Sequence, residues 1–260
     1  MPYLTTSGRR IYFELGGCGA KVLMFSNSLG TSMEMWAPQF DALSAEFTIL
    51  RYDNRGHGRS DPDGRSMSIH DLAADAVAIL DETQLSKVHF IGLSLGGLVG
   101  QCLALSNPER LLSLTLCATS AHFSPADMWE QRALKVLGEG IGPFVDASRE
   151  RWFTPEFRRD SPDLVEETIA QLRHVDPASY AACCRVLRDA DFRSRIGATR
   201  LPLQLIAGEC DASTPPSALA VLHELVHGSS MTTVKQAAHI LNVEQPQAVT
   251  DLIRAFVCIH

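Results

Sequence analysis

No apolar run in this 260-residue chain approaches the roughly 20 residues that a membrane-spanning helix requires, so the sequence predicts a soluble protein. Its first residues, Met1 to Gly8, include neither a basic leader nor an apolar stretch before a small-residue cleavage site, which argues for the cytoplasm over secretion. No cysteine stands in a C-x-x-C pair or at zinc-like spacing. The seven present, Cys18, Cys102, Cys117, Cys183, Cys184, Cys210 and Cys258, are an odd number, as expected of reduced thiols with no metal site. Lysine- or arginine-rich runs are also missing, and the net charge is -7. That balance excludes nucleic acid or an anionic membrane as the expected partner and repels anionic substrates at long range. No G-x-G-x-x-G opens a helix after a strand, which excludes a dinucleotide fold of the usual kind. Internal repeats and low-complexity segments are absent.

What is present is a globular composition, 45% hydrophobic, sufficient for one large α/β domain or a core carrying an insertion. The chain opens as a hairpin pattern, with turns at Ser7-Gly8 and Gly16-Gly17-Cys18-Gly19. Strand patterns follow at Val22 to Phe25, Phe47 to Tyr52, Val88 to Ile91, Ser113 to Cys117, Leu203 to Ala207 and Met231 to Val234. Helical patterns lie between them, one opening at Ser68 with Asp71 at its third position, the spacing of a capping box. Apolar strands alternating with amphipathic helices predict a mostly parallel sheet covered on both faces, with ligands at the strands' carboxyl ends. From Ser120 to Asp189 strand signals vanish and helical stretches follow one another, the last opening at Asp176-Pro177. This predicts a helical cap at 120–189 over a core of 1–119 and 190–260, placed to shield a site from water.

The stretch that speaks for chemistry is Gly92-Leu93-Ser94-Leu95-Gly96, directly after the strand pattern ending at Ile91 and before a helical pattern stopped by Asn107-Pro108. A serine between two glycines at a strand-to-helix turn is the nucleophile-elbow pattern, and it predicts covalent catalysis by Ser94. A serine hydroxyl needs a base, and the base needs a carboxylate to hold its tautomer, in the chain order serine, acid, histidine. The turn Gly208-Glu209-Cys210-Asp211 offers Asp211 as the acid, with Glu209 as its rival. His239, after Ala237-Ala238 and the last strand pattern, is the base. Backbone N–H groups of Leu95 and of Leu29, in the loop Ser26-Asn27-Ser28-Leu29-Gly30-Thr31, are the expected oxyanion donors. His89 reads as packed, and Asp53, Arg55 and His57, in Tyr52 to Ser60, read as structural parts of a tight loop.

Taken together these segments resemble the α/β-hydrolase superfamily, and more closely its 3-oxoadipate enol-lactonases, over essentially the whole chain. The discriminating stretches are Arg151-Trp152-Phe153-Thr154-Pro155 and Asp176-Pro177-Ala178-Ser179-Tyr180-Ala181-Ala182-Cys183-Cys184, with Asn27-Ser28 standing where many relatives have His-Gly. The resemblance implies an α/β-hydrolase fold, the triad Ser94, Asp211 and His239, and hydrolysis of a small anionic enol-lactone through an acyl-enzyme without metal, nucleotide or other cofactor. Such a substrate carries a carboxylate, yet residues 120–189 hold nine Lys or Arg against twelve Asp or Glu, a net of -3. Recognition then rests on one or two placed donors. Arg132 beside Trp129 is the candidate, because a guanidinium fork matches a carboxylate; the alternative is that Trp129 packs the cap and Arg132 is solvated. Arg188 and Trp152 are lesser candidates. A carboxylesterase for other small esters or lactones is the competing reading, and a small-molecule receptor on the same fold stands behind it.

Overall fold

The computed structural model describes residues 3–6 and 8–260; Met1, Pro2 and Ser7, which belong to the first residues and the first turn expected from the sequence, lie outside the described residues. The strands are β1 (Tyr3–Thr6), β2 (Arg9–Gly17), β3 (Val22–Ser26), β4 (Thr48–Tyr52), β5 (Val88–Leu93), β6 (Leu111–Cys117), β7 (Leu203–Gly208) and β8 (Ser230–Val234). They form one sheet in the order β1-β2-β4-β3-β5-β6-β7-β8. Antiparallel pairing is confined to β1 with β2 and β2 with β4, and the strands from β4 through β8 run parallel. Every residue of β5 and of β7 is buried, which requires cover on both faces of the sheet. This is why those strands read as continuous apolar runs.

The helix Ile69–Glu82 starts with the capping box expected from Ser68 and Asp71: Ser68 N–H donates to Asp71 Oδ2 at 2.7 Å. It packs on the helix Leu95–Ser106, which lies against β5, β6 and β3. Phe47, expected to begin the strand pattern that runs to Tyr52, stands one residue outside β4. Its N–H returns to Leu43 O at 2.9 Å, closing the preceding helix instead of joining the sheet.

Between β6 and β7 the chain leaves the sheet and forms the helices Ala126–Glu139, Val145–Trp152, Pro155–Asp160, Pro162–Arg173 and Pro177–Asp189. The two ends of this insertion meet at an antiparallel bridge, His122 with Asp191, and Phe192 N–H donates to Ala121 O at 2.8 Å. Asp176 caps the last helix by accepting from Ser179 N at 2.8 Å, as the Asp-Pro pair predicts. The insertion is tied to loops at the carboxyl ends of the strands. Asp176 N–H donates to Gly56 O at 2.9 Å, Ser179 Oγ accepts from Asp63 N at 2.8 Å, and Gln171 Oε1 accepts from Ser32 N at 2.8 Å. A space is thereby enclosed between insertion and sheet edge.

Candidate active site

Ser94 follows β5 with φ 57° and ψ -111°, a conformation a side chain adopts only at a cost of about 1–3 kcal/mol. The surrounding glycines show how the turn is accommodated. A Cβ on Gly92 would stand 2.2 Å from Gly96 O, one on Gly96 2.3 Å from Ser26 O, and one on Gly97 2.6 Å from the Thr119 side chain. Strand, elbow and helix approach so closely that only hydrogen fits at these positions. Ser94 is then held by its backbone, its N–H donating to Cys117 O at 3.0 Å and its carbonyl accepting from Thr119 Oγ1 at 2.7 Å.

Past β7 the chain turns so that the buried Asp211 faces the buried His239, with His239 Nδ1 donating to Asp211 Oδ2 at 2.9 Å. Asp211 Oδ1 accepts from Ser213 N at 2.7 Å and Thr214 N at 3.0 Å, and Oδ2 also accepts from Thr214 Oγ1 at 2.7 Å. Burial alone would raise this carboxyl, but the His239 imidazole and these hydrogen bonds outweigh it and hold the group below its ordinary value of 3.8. Glu209, the rival acid, lies exposed and accepts from Gln236 N at 3.1 Å. Ser94 and His239 line a common cavity of about 400 Å³.

Leu29 also lines that cavity, in the loop after β3. Its neighbours are engaged: Ser28 N–H points at Met35 Sδ, and Gly30 N–H donates to His57 Nε2 at 3.1 Å. Among the described residues no acceptor takes the N–H of Leu29 or of Leu95, the latter a first-turn donor with no intrahelical carbonyl to receive it. His57 is thus a prop for this loop. Its Nδ1–H donates to Arg55 O at 2.9 Å, which fixes the tautomer that leaves Nε2 as acceptor, and burial pushes the imidazole down to about 4, keeping it neutral. Asp53 braces the same region by accepting from Met33 N at 2.7 Å and Arg59 N at 2.9 Å. Arg55 is buried in ion pairs with Asp75 at 2.6 Å and Asp63 at 3.1 Å. His89 is packed, with Nδ1 and Ser113 Oγ 2.8 Å apart.

Across the cavity stand Trp129 and Arg132, on one face of the helix Ala126–Glu139. Arg132 Nε donates to Tyr180 Oη at 2.9 Å, and its guanidinium carbon lies 4.9 Å from the centre of the Phe144 ring and 5.8 Å from that of Trp129. Burial pushes the Tyr180 phenol up to about 12, so this partner is neutral, and no carboxylate among the described residues pairs with the arginine. Trp129 Nε1 is a buried donor with no hydrogen-bond partner among the described residues. One charged donor, Arg132, therefore stands at the wall of the cavity that holds Ser94 and His239, beside the Trp129 ring. Arg188 is not among the lining residues: it pairs with Asp189 at 2.7 Å and with Glu130. Trp152 does line the cavity and reaches over the Gly30 loop, where its ring stands 3.4 Å from the position of a Gly30 Cβ.

Residues 21–246 match the model of the α/β-hydrolase fold family. The chain is an α/β hydrolase. The hydrolase is 37% identical over 94% of its length, and 91% of the relative's, to 3-oxoadipate enol-lactonase 2 of Acinetobacter baylyi. It is similar in structure to the enol-lactonase from Burkholderia xenovorans LB400, with TM-score 0.96 and 32% identity over 99% of this chain and 100% of that one. A putative carbamate hydrolase of Azorhizobium caulinodans is 29% identical over 98% of each chain. The α/β hydrolase is an ester-hydrolysing enzyme. Among its described residues no helix is long and apolar enough to cross a membrane.

Two contributors to the site escaped the sequence reading. Thr214, which clamps Asp211, was readable in principle, because a carboxylate accepting from N–H groups two and three residues on is a local turn motif. Arg151 lines the cavity beside Trp152, and its helix phase carried no signal without knowledge of which face turns inward.

Proposed function

We propose that this hydrolase opens 3-oxoadipate enol-lactone to 3-oxoadipate, with Ser94 as nucleophile, His239 as general base and acid, and Asp211 as the group that orients the imidazole. The observation that carries the reading is Arg132. An arginine ringed by aromatic side chains and without a carboxylate partner among the described residues, in the same cavity as Ser94 and His239, is a receptor for a substrate carboxylate. Trp129 lines the same wall, and Arg151 adds positive charge there. The helical insertion acts as the cap that excludes water, and the similarity to 3-oxoadipate enol-lactonase 2 of Acinetobacter baylyi supports the same substrate.

The chemistry follows from the geometry. Ser94 Oγ attacks the lactone carbonyl carbon as its proton passes to His239 Nε2, while Asp211 stabilises the imidazolium through Nδ1–H. The tetrahedral oxyanion receives the N–H groups of Leu29 and Leu95. Collapse breaks the ring C–O bond, the enol oxygen takes the proton from His239, and ketonisation removes the group that would otherwise close the ring again. Water, deprotonated by His239, then attacks the acyl carbon and releases Ser94 and a second carboxylate. Every proton and electron pair is handled by protein groups and water, so the mechanism requires no metal or cofactor. The reaction belongs in the aromatic-compound degradation that ends in the β-ketoadipate pathway, and seven free thiols suit its placement in the cytoplasm.

The test is a substrate comparison on purified enzyme and on Ser94→Ala. The enol-lactone should be turned over far faster than aryl esters, uncharged lactones or a small carbamate, and Ser94→Ala should remove the activity. Equal rates on the enol-lactone and on simple aryl esters would overturn the substrate assignment in favour of a carboxylesterase.

A further inference from the structure

We infer that Glu244 is a positioning residue: one buried carboxylate locks the inserted helices to the loop that carries His239, so substrate-side wall and general base are set together. Glu244 ends the short helix Leu241–Glu244 and is 4% exposed. Its Oε2 accepts from Ala238 N at 2.7 Å, the residue before His239. Its Oε1 accepts from Thr154 N at 2.9 Å and from Thr154 Oγ1, both in the segment that joins two helices of the insertion. On the other side of His239, Ile240 N donates to Trp152 O at 3.0 Å. The backbone of the histidine is therefore gripped from both flanks, and both grips end on residues 152–154.

The chemistry of the three partners explains why a carboxylate stands here. All are donors, and they approach both oxygens, so an acceptor-only group satisfies them and an amide cannot. The segment it holds is the one whose Arg151 and Trp152 line the cavity, and Trp152 also reaches over the Gly30 loop. A displacement of the insertion would thus be transmitted to His239 through Glu244. This inference rests on the reading of His239 as the base, and the experiment separates the two.

Full-length wild type, Glu244→Gln, Thr154→Ala and His239→Ala are compared by three measurements. These are the rate of Ser94 labelling by an uncharged fluorophosphonate, which reports base placement without the anion site; kcat and KM for the enol-lactone; and urea unfolding. In Glu244→Gln the amide turns a donor toward one of the two ties, and loss of one buried charge-assisted bond is expected to slow labelling about tenfold. KM for the anionic lactone should rise as well, with cooperative unfolding retained. Labelling at the wild-type rate in Glu244→Gln, whatever its stability, overturns the inference. Should that variant not fold, Thr154→Ala decides. It removes the hydroxyl bond to Oε1 and the cap on Phe157 N but keeps the Thr154 N–H bond, so the tie is weakened on the insertion side only; slower labelling supports the coupling while an unchanged rate overturns it. His239→Ala labelled as fast as wild type refutes the base assignment beneath the inference; slow labelling there with an unaffected Glu244→Gln refutes the inference alone.

Discussion

Replacing Asp211 with Asn tests the heart of the proposed mechanism, because the structure dictates which way the amide must sit. Oδ1 accepts two backbone N–H groups, Ser213 at 2.7 Å and Thr214 at 3.0 Å, whereas Oδ2 faces His239 Nδ1 at 2.9 Å and a Thr214 hydroxyl that can rotate. The Asn carbonyl belongs on the two backbone donors, which puts its NH₂ against His239 Nδ1. The imidazole must then accept at Nδ1 and carry its proton on Nε2, the tautomer that cannot receive the Ser94 proton. Since the loop keeps its two backbone bonds, the stability cost should be modest, about 1 kcal/mol, while kcat for the enol-lactone falls about 10⁴-fold. Asp211→Ala separates the effects, because it also strands the two loop N–H groups at about 1–3 kcal/mol each. Steady-state turnover and urea unfolding on the three proteins measure both quantities. A folded Asp211→Asn retaining more than a tenth of wild-type kcat would refute the tautomer argument and with it the role of Asp211.

Arg132→Gln should raise KM for the anionic lactone roughly 10- to 100-fold, the worth of one charge-assisted pairing, with a smaller effect on an uncharged aryl acetate; equal effects on both substrates would deny it the carboxylate. Gly96→Ala places a Cβ 2.3 Å from Ser26 O, so a loss of about 3 kcal/mol in urea unfolding is expected, with reduced kcat because the displaced backbone leads into the Leu29 loop. The Asp211 carboxyl is held below its ordinary value, so its contribution to stability is full above that value and is lost as pH falls through the lower folded value; acid unfolding of Asp211→Asn should lack this component. His57, depressed to about 4, binds fewer protons folded than unfolded between its ordinary value of 6.5 and about 4, so it makes stability rise with pH there. Asp53, raised to about 6 chiefly by burial, binds more protons folded than unfolded between 3.8 and about 6, and makes stability fall with pH. His57→Phe should therefore remove one of two rising components, since the likewise buried His89 is also depressed to about 4 and still opposes Asp53, so the rise of stability between about pH 4 and 6.5 should flatten; a variant whose profile matched wild type would contradict the assignment.

The elements that were legible beforehand are those whose determinants are local. Ser68 with Asp71 and Asp176 with Pro177 announce helix starts because their side chains bond N–H groups within the same turn. Buried parallel strands such as β5 and β7 are apolar throughout because both faces are covered. What the local pattern left open is settled across long sequence separations. Arg132 and Arg188 are both arginines on helices of the insertion, and only packing shows that one faces a neutral phenol in the cavity while the other is neutralised by Glu130 and Asp189. Glu244, marked in sequence only as part of a terminal stretch, meets Thr154 from ninety positions away.

The division is physical. By itself the sequence determined the strand-to-helix turn at Ser94, since glycines at 92, 96 and 97 are a steric requirement written into adjacent positions, and it determined the order Ser94, Asp211, His239 along the chain. Tertiary structure alone decided that Asp211 and not Glu209 meets His239, that an arginine without a carboxylate partner among the described residues shares their cavity, and that one carboxylate ties the insertion to the histidine loop. Sterics between chain neighbours are encoded locally, whereas the partner of a charge depends on which surfaces the finished fold brings face to face.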